Sequence, residues 1–245
     1  LTLVLEKKWL VKNKLKKKVM NEDYVKNSNK KIHKEIKEKN IGKTKVFIKD
    51  PLPEHINLEN VFETLRKRVP FEYLDNIDYI MIGDFELLKK KNVNAAYAER
   101  VIYLTNKQDD EDDITDDIVH EIAHSVEENL TLEIYGDGRI ESEFISKRER
   151  LYHLLEGERF DVDYQDFMQT QYSQNFDNFL YHEVGYQLMA NLAANLFYSP
   201  YGATSLREYF ANGFEAYFYH QDLDKLASIS PVLFDKLENL SYNKE

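Results

Sequence analysis

The chain has 245 residues, 42% of them hydrophobic, with 17 Tyr and 14 Phe, enough for a sizeable aromatic core and incompatible with a disordered chain. It has no Cys, which excludes disulfides and thiolate metal ligands, and no apolar run long enough to cross a bilayer. The net charge of −11 is unevenly placed: residues 1–50 hold 16 Lys against 6 acidic residues, a net of +10, which leaves −21 on residues 51–245.

Residues 1–42 read as a basic, mostly helical arm, with Leu3, Leu5, Leu10, Val11 and Leu15 set irregularly among lysines and a boundary at Gly42. Such an arm suits polyanion contact or folding against its own acidic body, although a solvated Lys-rich helix explains it without a partner. The first residues are interrupted by Glu6, Lys7 and Lys8 and form no signal-peptide core. Because the chain begins with Leu1 rather than Met, secretion or virion association after removal of a leader stays open.

Residues 43–245 read as one domain. Residues 45–49 form a short strand closed by Asp50-Pro51-Leu52-Pro53, and residues 58–69 a helix with apolar positions 58, 61, 62 and 65, ended by Pro70. A strand over 77–82 turns at Gly83-Asp84, and two short strands at 94–97 and 100–105 pair around Ala98-Glu99. The acidic run from Asp109 to Asp113 reads as a solvated loop, since a Ca²⁺ loop would need Gly where Ile114 stands.

The next helix is the centre of the chain. Ile114, Ile118, Ile122 and Val126 recur every four residues as a buried stripe, Thr115 is the expected N-cap, and Asp116 and Asp117 would complement the helix dipole. His120 and His124 project from one face a turn apart, a spacing that suits two nitrogens on one Zn²⁺. Glu121 between them is placed to take a proton from a water that the metal activates.

Further on come a turn at Tyr135-Gly136-Asp137-Gly138, a charged amphipathic helix over 140–160 and a long apolar-aromatic helix over 176–197. His182-Glu183 on the latter is followed by Gly185 and Tyr186, so the histidine pair is not repeated and His182 reads as structural. A turn at 199–202, a helix over 205–219 and a C-terminal helix interrupted at Ser230-Pro231 complete the chain. The expected class is α+β, a small mixed sheet packed on the metal-site helix with a mainly helical C-terminal half.

Two histidines need a third ligand from another helix. Glu208, Ala211, Asn212 and Glu215 share one face of the 205–219 helix. Ser205-Leu206-Arg207-Glu208 also matches a capping box, in which Glu208 would bond back to the Ser205 amide; with Thr204 as the cap, Glu208 would instead be free to reach a metal. Pattern leaves both open, with Glu215 as the backup ligand.

His120-Glu121-Ile122-Ala123-His124 followed by Tyr201-Gly202-Ala203-Thr204 and Glu208-Tyr209-Phe210-Ala211 resembles the catalytic domain of anthrax lethal factor-type zinc peptidases, a group that includes the Pro-Pro endopeptidases. In that family a Tyr-Gly turn lies seven residues before the zinc-ligating Glu, and Tyr201 and Glu208 are seven apart. The resemblance implies a zincin-like fold, His120, His124 and Glu208 as zinc ligands, Glu121 as general base and Tyr201 as hydroxyl donor to the oxyanion. The chain departs from the family at Ala123, where many members have Gly, at Asn212, which replaces an acidic residue, and in its longer spacer between His124 and Tyr201. The implied activity is a zinc-dependent endopeptidase acting on a protein or peptide substrate. The rival reading is a structural or interaction protein, for example of a virus or mobile element, that keeps a metallopeptidase fold with little turnover.

Overall fold

The computed structural model describes residues 37–242, so all but the last residues of the basic arm lie outside it. Its architecture is α+β, a five-stranded sheet followed by a mostly helical half. Strands β1 (Lys37–Ile41), β2 (Thr44–Ile48), β3 (Tyr79–Ile82), β4 (Ala95–Ala98) and β5 (Val101–Leu104) are arranged in the order β1-β2-β3-β5-β4. The inner pairs β2–β3 and β3–β5 are parallel, and the two edges, β1 on β2 and β4 on β5, are antiparallel.

The helical reading of the arm is corrected at its end. Residues 37–41 are a strand, and Gly42, at φ +60, turns the hairpin between β1 and β2. The sheet has one buried face. Val46, Ile80 and Ile102 stand in one register row and Ile48, Ile82 and Leu104 in the next, all buried, while Phe47, Tyr79, Met81 and Tyr103 alternate outward.

Helix α1 (Leu58–Arg68) is capped by Asn57, whose side chain accepts the Glu59 amide, and buries Leu58, Val61, Phe62 and Leu65. Helix α2 (Glu86–Lys91) ends on Asn92 in the left-handed region. The long helix α3 (Glu111–Asn129) lies on the sheet and starts a turn earlier than the sequence suggested. Its N-cap is Asp110, which accepts the Asp113 amide at 2.9 Å, and Glu111, Asp112 and Asp113 occupy the first turn. Thr115 instead donates its hydroxyl back to the Glu111 carbonyl. Much of the acidic run is therefore helix, and the Glu111 carboxylate ties α3 to α1 by accepting the Asn57 amide at 2.8 Å.

Helix α4 (Arg139–Gly157), the charged amphipathic segment, hides charge: Lys147 and Arg148 are buried alongside Phe144, Leu151 and Leu155. Lys147 donates to the Leu196 carbonyl at 2.7 Å and the Ser230 hydroxyl at 2.8 Å, and burial pushes its pKa down to about 8. The long helix expected over 176–197 is broken. A helical turn at Gln174–Asn178 runs into a π-helical segment, Phe179–Gly185, and Gly185, at φ +81, redirects the chain into α5 (Tyr186–Leu192). His182 on that segment is exposed.

A 3₁₀ turn at Pro200–Ala203 leads into α6 (Leu206–Phe214), which loosens into a π-helical segment at Glu215–His220. The C-terminal pair α7 (Leu223–Ile229) and α8 (Pro231–Tyr242) breaks at Ser230-Pro231 as read. Glu143 of α4 fixes the start of α8 by accepting the Val232 and Leu233 amides, each at 3.0 Å. Helices α6 and α8 meet at Gly213, where an added Cβ would run into the fully packed Leu233 side chain. Gly213→Ala is therefore expected to destabilise the protein by about 1–3 kcal/mol despite its better helix propensity, measurable as a lower urea midpoint. Among the described residues, no helix is long and apolar enough to cross a membrane.

Candidate metal centre

The middle of α3 faces the first turn of α6, and three side chains converge there. His120 Nε2 lies 2.9 Å from Glu208 Oε2, and His124 Nε2 lies 3.7 Å from Glu208 Oε1. The two imidazoles stand edge to face, 4.8 Å between centroids at 88°, as expected for i and i+4 on one helix. One ligating atom from each of His120, His124 and Glu208 falls within 4.8 Å of the others, a group able to hold a metal ion.

Glu208 uses both ends of the residue, its backbone at the helix cap and its carboxylate in the cluster. Its backbone amide donates to the hydroxyl of Ser205, the N-cap, at 3.2 Å, while its carboxylate turns to the histidines and not back to the Ser205 amide. Thr204 need not cap. Its hydroxyl donates to the Tyr201 carbonyl at 2.8 Å. Glu215, two turns further along, bonds His120 at Nδ1, on the far side of the ring from Glu208. It therefore stands behind the cluster, orienting His120 and leaving Nε2 directed into the site.

Electrostatics favour a positive charge here. Burial alone would lower the His120 pKa, but the hydrogen bonds to Glu208 and Glu215 and their charges outweigh it and hold it well above the usual histidine range. For Glu208, burial pushes upward, yet the imidazoles and Arg207 leave the net shift downward. His124 is pushed down to about 3 by burial and then by the charge of His120, so it stays neutral. Two imidazoles and an ionised carboxylate are a donor set that suits zinc.

Glu121 is 6% exposed, beside the cluster, and its carboxyl is pushed up to about 7 by burial, with the His120 charge and the Tyr97 backbone amide pulling the other way. Tyr201, half-buried on the 3₁₀ turn, has its ring 6.2 Å from that of His120. Burial, followed by the charge of Glu208, pushes its phenol well above the usual range. The turn is pinned to α6 by Ser199, whose hydroxyl donates to Asn212 Oδ1, and a Cβ at Gly202 would come within 2.9 Å of the same oxygen. This is why Gly follows Tyr201, and it gives Asn212 a definite task.

Several neighbours were not singled out from the sequence. Arg207 Nε lies 3.0 Å from His124 Nδ1 and 3.2 Å from Glu127 Oε2, and Tyr135 donates to Glu127 at 2.7 Å. Asp117, first read as a dipole partner, is one turn before Glu121. Its carboxyl is pushed up to about 6 by burial against a hydrogen bond from Gln108. A second group, Asp116, Glu215 and His220, lies behind His120, where His220 Nε2 is 3.1 Å from Asp116 Oδ1 and reads as an ion pair. Beside His124 opens a cleft of about 400 Å³ bounded by Tyr97, Ala98 and Glu99 of the β4–β5 hairpin and by Glu127, Thr131 and Arg207 across from it.

Comparison with family models, with curated proteins and with solved structures finds no match to this chain.

Proposed function

We propose that the chain is a zinc-dependent endopeptidase of zincin-like fold. The observation that carries this reading is the convergence of His120 Nε2, His124 Nε2 and the Glu208 carboxylate, with Glu121 and Tyr201 beside them. His120, His124 and Glu208 would hold the ion, and zinc bound there would supply Lewis acidity, polarising a scissile carbonyl and acidifying a water.

The chain's own residues supply the rest. Glu121, on the same face of α3 and poised near neutrality, accepts the proton of the attacking water and delivers it to the leaving amine. Tyr201 keeps its hydroxyl proton across the physiological range and donates a hydrogen bond to the oxygen on which charge develops in the transition state. β4, an edge strand among the described residues, borders the cleft beside His124 and offers backbone groups to an extended peptide, which would add to the sheet as a further strand.

Digestion of a peptide library tests the activity. Cleavage that stops with a chelator and returns with zinc is expected; cleavage indifferent to chelator contradicts a metal mechanism. Tyr201→Phe is expected to retain zinc and lower kcat by roughly 10²- to 10³-fold, the usual loss for one oxyanion donor. Steady-state kinetics of that variant at full zinc occupancy checks this.

A further inference from the structure

The segment between His124 and Tyr201 is long, and it places a fully buried arginine next to the Tyr201 turn. Arg148 on α4 has 0% exposure, and its guanidinium lies 3.9 Å over the Phe176 ring, with Phe144 and Phe167 at 5.4 and 5.6 Å. Its hydrogen bonds go to carbonyls: Nη1 donates to Ala203 at 2.6 Å and to Thr204 at 3.3 Å, and Nη2 donates to Asp166. A methionine or leucine would fill this aromatic box without the cost of burying a charge, so the cation is best explained by the carbonyls it holds.

Those carbonyls sit at a decisive place. Ala203 ends the 3₁₀ turn that carries Tyr201, and Thr204 precedes Ser205, the cap of the helix that carries Glu208. On its other side the turn is pinned to Asn212 through Ser199. Arg148 therefore closes the second half of a two-sided grip, and the Leu206 amide, donating to the Thr170 carbonyl at 2.9 Å, ties the same segment to the start of α6. Between the two grips stands Tyr201.

We infer that Arg148 is a positioning residue that holds the Tyr201 hydroxyl in its working place, and that supplying this clamp is one role of the segment between His124 and Tyr201. The inference rests on the proposed peptidase reading for its kinetic consequence but not for its geometry. Glu208 is fixed by its own amide bond to Ser205 and by His120, so the clamp acts on Tyr201 more than on the metal ligands.

The test compares Arg148→Met in wild-type and Tyr201→Phe backgrounds. In the wild-type background kcat is expected to fall by about 10²-fold, approaching the loss of the oxyanion donor itself, with KM and zinc affinity nearly unchanged. In the Tyr201→Phe background the same substitution is expected to cost less than about threefold, because the group it positions is already absent. Additive losses, or wild-type turnover in Arg148→Met, overturn the clamp. If Arg148→Met does not fold, Arg148→Lys retains the buried charge without the planar fork that spans three carbonyls, and a loss of about tenfold that vanishes in the Tyr201→Phe background is expected.

A second readout does not depend on turnover. In protein labelled with fluorotyrosine, the ¹⁹F resonance that disappears in Tyr201→Phe belongs to Tyr201. That resonance should shift or broaden in the Arg148 variant that folds, more than the other tyrosine signals. An unmoved Tyr201 resonance rejects the clamp, whereas absence of cleavage by wild type together with a moved resonance rejects the peptidase reading and leaves the clamp standing.

Discussion

Glu208→Gln is expected to lower zinc affinity by orders of magnitude while the protein keeps its fold. The substitution replaces an ionised oxygen, held between two imidazoles, with a neutral amide that carries no charge for a dication. The Ser205 cap survives, since it uses the Glu208 backbone amide and not the carboxylate, so the start of α6 is unaffected. Glu215→Gln is the control two turns along the same face. Glu215 bonds His120 at Nδ1, so this change loosens one ligand without removing it, and a loss of about 10- to 100-fold is expected. Competitive titration with a chelating dye measures both. Equal losses in the two variants, or a larger loss in Glu215→Gln, would move the third ligand away from Glu208.

Glu121→Gln is expected to keep zinc and to lower turnover by about 10²- to 10⁴-fold, because an amide cannot accept the water proton. The buried Glu121 carboxyl, raised to about 7, also fixes the sign of the pH profile. A general base works only when ionised, so kcat/KM should fall as pH drops through its pKa. A bound dication nearby would stabilise the carboxylate, so the midpoint of the acidic limb should lie below 7 and disappear in Glu121→Gln. Turnover equal to wild type in Glu121→Gln would place the proton acceptor elsewhere.

Where the sequence was informative, the signal was periodic and local. Ile114, Ile118, Ile122 and Val126 dictate which face of α3 is buried, and all four are fully buried. The strand pattern over 45–49, 77–82 and 94–105 likewise survives in β2 to β5, because alternation about one covered face is visible without tertiary information. Helical spacing put His120 and His124 on one face, and only a resemblance of short motifs pointed to Glu208, which lies with them in the structure.

What was not legible depends on long-range partners. Asp110, not Thr115, caps α3, and Glu111 in its first turn accepts the amide of Asn57, the cap of α1. The burial of Lys147 and Arg148 depends on carbonyls that residues far along the chain bring to them. The break in the 176–197 segment left one local mark, Gly185, whose positive φ redirects the chain. Glu215 sits on the same face as Glu208, and only the position of α3 shows that it meets the opposite side of the His120 ring.

The most direct test of the central claim is the metal content of protein purified without added metal, measured by elemental mass spectrometry. One zinc per chain is expected in wild type, with loss in His120→Ala and in His124→Ala at unchanged circular dichroism. Folded wild-type protein that carries no zinc and takes up none on titration would contradict the account.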